Sequence, residues 1–372
     1  MNEEKATRYQ RLKRRTSVLS VAWGAAVLLM LLLSGASAGL RDAARSLAAG
    51  VGLGASSGLI LTIYVVLLTL LNEAGSLPLS FYSGFLVERR YGLSAQRLRA
   101  WMGDQFKGLA LGLLLAMVAA NIVYACIRWM PGAWWAPAGL IFAVLIVGLA
   151  KVAPVVLLPV FYTVKPLDRE TLRGRLLMLA ERAGARVVGA YEWGLAEKTR
   201  KANAALTGLG STRRILVSDT MLSEYSEDEI EVVLAHELAH HVHGDIWKGL
   251  FFESGLIVAG FYVAFRVLDA LAPALALENS ADPAGLPLLL LAGGVVSLAM
   301  VPAANALSRR YERSADRFAL ELTRNPAAFI SAMRRLGAQN LAEEHPSRAV
   351  QWLFYSHPPI ADRIAVARAF KA

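Results

Sequence analysis

A single cysteine, Cys126, stands in 372 residues, so no disulfide framework supports this chain. It lies in an apolar run and reads as a small buried hydrophobe. Charge is also scarce. Charged residues make up 18% of the chain against 56% hydrophobic ones, a balance that speaks against an ordinary soluble domain and suits a polytopic membrane protein. Acidic residues number 29 against 39 basic ones, for a net charge of +10. A nucleic-acid partner would need that surplus gathered on one soluble face, and it is instead parcelled out between apolar runs. No nucleic-acid role is expected. No internal repeat or low-complexity tract is evident.

Against that apolar background, one polar segment carries His236-Glu237-Leu238-Ala239-His240, an HExxH pattern. Ser226 to Glu229 fits a capping box that starts a helix, with Tyr225 and Ile230 as a hydrophobic staple. Ile230, Val233, Leu234 and Leu238 form its apolar stripe. On that helix His236 and His240 project from one face, about 6 Å apart along the axis, which suits two imidazoles on one tetrahedral zinc ion. Glu237 lies one residue round, placed to act as general base on a metal-bound water. His241 points elsewhere, and His243 lies roughly 10 Å along the axis from His236. A metzincin would need Gly at 243 and His at 246, where this chain has His243 and Ile246. The third ligand must come from another segment.

Six apolar stretches are long enough to span a bilayer: 17–39, 58–86, 108–129, 134–160, 249–275 and 285–308. Residues 40–57 are weakly apolar and suit a short extra or re-entrant helix. Of the 39 Lys and Arg, 34 fall in 1–16, 88–107, 161–248 and 309–372. That asymmetry puts the N-terminus, the HExxH segment and the tail in the cytoplasm. The first span resembles a signal peptide with Ala36-Ser37-Ala38 as a cleavage site, but its apolar run is long and a retained anchor is expected. Glu73, Asn121 and Lys151 fall at membrane depth, where a watery interior chamber or local pairing would accommodate them.

The expected organisation is an N-terminal membrane domain of four spans (1–160), a cytoplasmic α+β insert with the HExxH helix (161–248), a two-span hairpin (249–308) and a cytoplasmic C-terminal part (309–372). In the insert, 167–183 reads as an amphipathic helix and 187–193 as a strand. Residues 201–208 and 213–218 read as a hairpin turning at Gly208-Leu209-Gly210-Ser211. Its edge strand could hold an extended peptide by main-chain hydrogen bonds. After the last span, Glu312 and Asp316 share a helix face. Glu312 is a candidate third zinc ligand and Asp316 a candidate partner for a ligand histidine. The same spacing equally suits two carboxylates balancing nearby arginines. His357, before Pro358-Pro359, is held extended and could donate to an oxyanion, or could be a surface histidine in a rigid turn. His345 reads as surface loop.

These motifs together resemble the type I CAAX prenyl protease family, integral-membrane zinc metalloendopeptidases of the gluzincin kind. The resemblance covers nearly the whole chain. It rests on Phe85 to Leu93, Asn203-Ala204 with Gly208, Ile215 to Leu222, the HExxH, the Glu312–Asp316 pair and His357-Pro358-Pro359 with Arg363, all in the family's order. It implies one Zn²⁺ per chain held by His236, His240 and Glu312, with Glu237 activating water and Asp316 supporting the ligands. It implies that His357 and Arg363 lie near the catalytic centre and that Asn203 and Ala204 align the substrate backbone. It also implies a barrel of seven helices around a large water-filled chamber. Three departures stand out: Ala239 inside the motif in place of a common Gly, Asp245 where the family often has His, and Glu197 to Lys201 in place of a serine-rich segment.

The reading is therefore an α-helical polytopic membrane protein of six to seven spans with a small α+β zinc-protease domain. It would hydrolyse peptide bonds of membrane-associated substrates, C-terminally lipidated ones among them. The compact loops suit a bacterial plasma membrane; in a eukaryote the endoplasmic reticulum would be expected. Three rival readings share part of this pattern. An intramembrane site-two-type protease carries its HExxH inside a span and a later Asp-Gly ligand. A heat-shock-type metalloprotease serves membrane quality control with fewer spans. A catalytically inactive scaffold need not hold stoichiometric metal.

Overall fold

The computed structural model of the chain describes residues 2–50, 56–208 and 210–371. The N-terminal half is helical: α1 (Asn2–Leu33), α2 (Ala36–Gly50), α3 (Ser57–Ser80) continuing through a π turn at Phe81–Val87 into α4 (Glu88–Arg90), α5 (Leu98–Trp129), α6 (Trp135–Val156) and α7 (Leu158–Phe161). Next come β1 (Val164–Pro166), α8 (Glu170–Arg182), β2 (Ala190–Trp193), β3 (Ala204–Thr207), β4 (Arg214–Ser218), α9 (Asp219–Glu224) and α10 (Glu227–Val242). Two long helices, α11 (Asp245–Leu271) and α12 (Leu286–Thr323), return through the membrane region, and α13 (Pro326–Gln339), α14 (Arg348–Phe354) and α15 (Ile360–Ala369) close the chain.

Among the described residues, six helices are long and apolar enough to cross a membrane. They match the expected six spans with one correction. The first span ends at Leu33, not at residue 39, because Gly35 takes a left-handed φ of 73° and breaks the helix. Residues 36–50 then form α2, whose 15 residues reach only about 22 Å at helical rise, short of a bilayer core. The short extra helix expected in 40–57 is thus α2, and residues 51–55 lie outside the described residues.

The six long helices close into a ring: α1 packs on α3, α3 on α5, α5 on α6, α6 on α11, α11 on α12, and α12 back on α1. All six line one cavity of about 710 Å³. Its walls are mainly apolar, from Leu68, Val123 and Phe142 to Phe261 and Leu289, with Asn72 and Glu253 among few polar exceptions. The ring of six helices thus encloses a hollow where the resemblance implies a chamber, and its walls are mostly apolar. The three polar residues placed at membrane depth do not gather in it. Asn121 bonds Thr62 and the Met117 carbonyl, Glu73 accepts from Ser76, and Lys151 is exposed. α2 packs on α1 and α3 at the end of the ring away from α10. There Arg41 donates to the fully buried carboxylate of Asp282 at 2.7 Å, and Ser37 donates to the Ala284 carbonyl at 2.7 Å.

The sheet has the order β1-β2-β4-β3. β3 and β4 form the expected antiparallel hairpin, β2 runs parallel to β4, and β1 is an added edge that the sequence reading left out. At the turn, Gly208 sits at φ 87°, and a Cβ there would lie 2.5 Å from the Thr212 carbonyl oxygen, so only glycine fits. Leu209 lies outside the described residues. The insert and tail share one core, in which Leu172, Leu176, Ile215 and Leu234 meet Leu320 and Phe329.

The start of α10 is built as expected. Ser226 N–H donates to Glu229 Oε2 at 2.8 Å, and Glu229 N–H donates to Ser226 Oγ. The second Glu229 oxygen accepts from Ser331 Oγ and Arg335 Nε of α13 at 2.5 and 3.0 Å. Burial opposes this charge, but those donors hold the carboxyl below the usual carboxylate range. A depressed folded pKa adds stability that is present above the unfolded value, about 4.3, and is lost as pH falls through the folded one. Glu229→Gln is expected to cost about 2 kcal/mol near neutrality. In detergent-solubilised thermal melts, its deficit against the parent should shrink as the medium is acidified below about pH 4.

Candidate active site and metal centre

The capped α10 presents His236 and His240 one turn apart, their rings 5.0 Å between centroids and nearly perpendicular. Glu312 arrives from the C-terminal third of α12, well beyond its membrane-spanning apolar portion. Its Oε2 lies 3.1 Å from His236 Nε2, and its Oε1 lies 3.3 Å from His240 Nε2. One ligand atom from each of His236, His240 and Glu312 lies within 4.8 Å of the others, the arrangement a metal ion would require. Glu312 Oε2 is buried and takes no hydrogen bond of acceptable geometry, although ring nitrogens surround it. Two imidazoles and a carboxylate with such an orphaned oxygen fit a four-coordinate divalent metal with one open position.

Each histidine is braced through its other nitrogen. His236 Nδ1 faces Asp316 Oδ1 at 2.9 Å, and Asp316 in turn accepts from Arg363 at 2.6 and 2.9 Å. His240 Nδ1 faces Asp245 Oδ2 at 3.1 Å. A proton held on Nδ1 in both rings leaves both Nε2 lone pairs free for an ion. Asp245 is the residue the sequence reading missed, having read it only as a departure from family pattern. Gly244, left-handed at φ 67°, turns the chain between α10 and α11 and delivers Asp245 to the first turn of α11. The legible signal was a glycine closing one helix followed at once by an acid opening the next.

His357 is 60% exposed along its side chain, yet its Nδ1 lies 2.7 Å from Glu312 Oε2, so it is both a turn histidine and a neighbour of the centre. Arg363 is buried, with Nη2 3.2 Å from His236 Nδ1. His241 and His243 stand apart from the metal group. His243 packs edge-on against Phe318, and His345 is exposed in its loop. Asn203 exchanges backbone bonds with Ser218, its carbonyl accepting at 2.9 Å and its N–H donating to the side chain at 3.0 Å. By antiparallel alternation, Ala204 and Leu206 therefore turn their N–H and C=O groups to the free edge of β3. The departing stretch Glu197 to Lys201 is pinned by the Phe85 to Leu93 segment. The Leu93 carbonyl accepts from Arg200 N–H and Thr199 Oγ1, and Glu88 accepts from Lys201 at 3.2 Å.

Electrostatics at the centre favour proton transfer. Burial pushes the Glu237 carboxyl up, and the neighbouring histidines oppose that shift. This moves it toward the range of a base working near neutrality. Burial lowers His236, but Asp316 and Glu312 more than compensate and push it up to about 9 in the metal-free chain.

Residues 166–371 match the family described as Peptidase family M48. The chain belongs to that family. Residues 2–163 match the CAAX prenyl protease N-terminal family, described by five membrane helices; that region holds the four long helices α1, α3, α5 and α6 and the shorter α2. A Bacillus subtilis protein named as an uncharacterized metalloprotease, YhfN, is 32% identical over 305 residues, covering 81% of this chain and 71% of its own. A CAAX prenyl protease 1 homolog of Oryza sativa subsp. japonica is 26% identical over 335 residues, covering 86% and 76%. The crystal structure of S. mikatae Ste24p superposes with a TM-score of 0.89 at 22% identity, covering 99% of this chain and 89% of that one, a likeness of fold. This M48 member is thus a multi-pass membrane metalloprotease of the CAAX prenyl protease type. The match over 2–163 favours that type over the heat-shock one, and α10 lies outside every span, unlike a site-two protease. Asp245→Ala is expected to weaken metal binding about 10- to 100-fold, read by chelator competition on the purified chain at fixed pH.

Proposed function

We propose that this M48 protease is a zinc endopeptidase whose metal is held by His236, His240 and Glu312, one ion per chain. The observation that carries the reading is the orphaned Glu312 oxygen amid converging imidazoles. A His₂Glu set with an open position suits zinc best among the common divalent ions. When bound, the ion supplies Lewis-acid polarisation.

Everything else falls to the chain's own side chains. The free edge of β3, with Asn203 and Ala204 at its start, aligns the substrate backbone as an added strand. Glu237 takes the proton of the attacking water and passes it to the departing amine. His357, exposed on the open side of Glu312, donates to the oxyanion as it forms. Asp316 with Arg363, and Asp245, hold the two ligand imidazoles in their working tautomers.

The natural substrates are peptides or proteins presented at the bilayer, C-terminally lipidated ones among them. The organisation into 1–160, 161–248, 249–308 and 309–372 assigns the insert and tail to the catalytic face. The basic residues concentrated on that side support a cytoplasmic orientation, and the compact loops support a bacterial plasma membrane.

Two measurements test this. Glu237→Ala should keep stoichiometric zinc and lose about a thousandfold in peptide hydrolysis; hydrolysis near the parent rate would reject the mechanism. Matched farnesylated and unmodified peptides, assayed with and without chelator, should both be cut only without chelator. Faster cleavage of the farnesylated one would place lipidated termini among the substrates.

A further inference from the structure

A second feature lies on the same face of the membrane, where α1 leaves its polar end and enters its apolar run. A groove of about 460 Å³ runs there between α1 and the end of α14, lined by Arg14, Arg15, Val18, Leu19 and Phe354. The two arginines differ in kind. Arg14 turns inward, its Nη1 2.5 Å from Glu343 Oε2 and 3.0 Å from Tyr355 Oη. Arg15 is exposed and meets no partner among the described residues. Val18 and Leu19 follow Arg15 by three and four positions, so they share its helix face; they are 51% and 55% exposed. Across the groove, α14 buries none of its seven residues and leaves Trp352, Leu353 and Phe354 bare.

We propose that this groove binds one anionic phospholipid of the surrounding bilayer, and that its occupancy steadies the segment carrying His357. The chemistry is layered as such a molecule is layered. Arg15 offers one uncompensated positive charge at the polar end of the span, where a headgroup phosphate lies, because Glu343 already neutralises Arg14. Val18, Leu19 and Phe354 offer an apolar floor directly beneath it, at the depth of the glycerol and first acyl carbons. Exposed Trp352 is the residue type that settles at that boundary. A free phosphate would gain nothing from the apolar floor. A choline headgroup would set a second cation beside Arg15.

The connection to the active site is short. Tyr355 directly follows α14. Its hydroxyl contacts Arg14 and donates to Glu343 at 2.9 Å, and its carbonyl accepts from Arg309 of α12 at 2.6 Å. Asn305 of α12 donates to the Trp352 carbonyl at 3.0 Å. Two residues beyond Tyr355 stands His357, against Glu312. A lipid seated between α1 and Phe354 therefore fills the open side of the one short helix that leads into His357. This second half of the proposal rests on the role given to His357 above, whereas the binding half does not.

The test uses the full chain reconstituted in phosphatidylcholine vesicles with and without phosphatidylglycerol. Spin-labelled phosphatidylglycerol reports binding as a motionally restricted fraction, with no turnover needed. The parent should retain it about fivefold better than Arg15→Gln. Phe354→Ser should also weaken retention, although it changes no charge. Arg11→Gln, an exposed arginine on α1 outside the groove, should bind like the parent. Peptide hydrolysis by the parent should rise when phosphatidylglycerol is present, and Arg15→Gln should match the parent in phosphatidylcholine alone while losing that rise. Equal retention by Arg15→Gln and the parent, or equal losses in Arg11→Gln and Arg15→Gln, would overturn the site. Clear retention without any lipid effect on rate would overturn the link to His357. If no variant and no lipid gives hydrolysis, the peptidase reading fails while the retention data still decide the site.

Discussion

One carboxylate holds three distant parts of the chain together. Glu312 draws in His236 and His240 from α10 and His357 from the turn after α14. None of these contacts is a good hydrogen bond to its buried Oε2. Burying a charge in that way is costly unless something shares it, and the neighbouring rings are braced so that their free nitrogens face the same space. The apolar core shared by α10, α12 and the tail brings these elements together, and Glu312 marks where their polar groups converge.

The braces extend the arrangement outward. Asp316 and Arg363 tie α12 to α15 behind His236, and Asp245 ties α11 to α10 behind His240. Both α11 and α12 then continue directly into the membrane ring. The site is therefore not a soluble domain resting on a membrane domain. Two of the ring's helices are the site's own walls, and the shared core of insert and tail fills the space between them.

What the sequence made legible was local or strongly periodic. The capping box, the HExxH face and the Glu312–Asp316 face all depend on spacings of three or four residues, which helix geometry fixes. The long spans were equally plain, since lipid demands continuous apolar runs. What local spacing could not show has a common cause. The pairing of Arg363 with Asp316 spans 47 positions and only a family resemblance suggested their proximity. Asp245 serves His240 across a turn whose shape depends on the backbone of Gly244, and no side-chain spacing encodes that. The end of the first span was misplaced because small apolar residues continue past Gly35, while the helix does not. The hollow itself depends on how six helices close, a property of no single segment.

The far end of that ring has a consequence for the membrane itself. A hollow protein in an energised bilayer risks becoming a leak, since any continuous file of water would carry ions down their gradient. Here the short α2 packs against the end of the ring and is tied there by the Arg41–Asp282 pair, and the walls of the hollow are mainly apolar. Apolar walls of that kind shed water readily, which disfavours such a file.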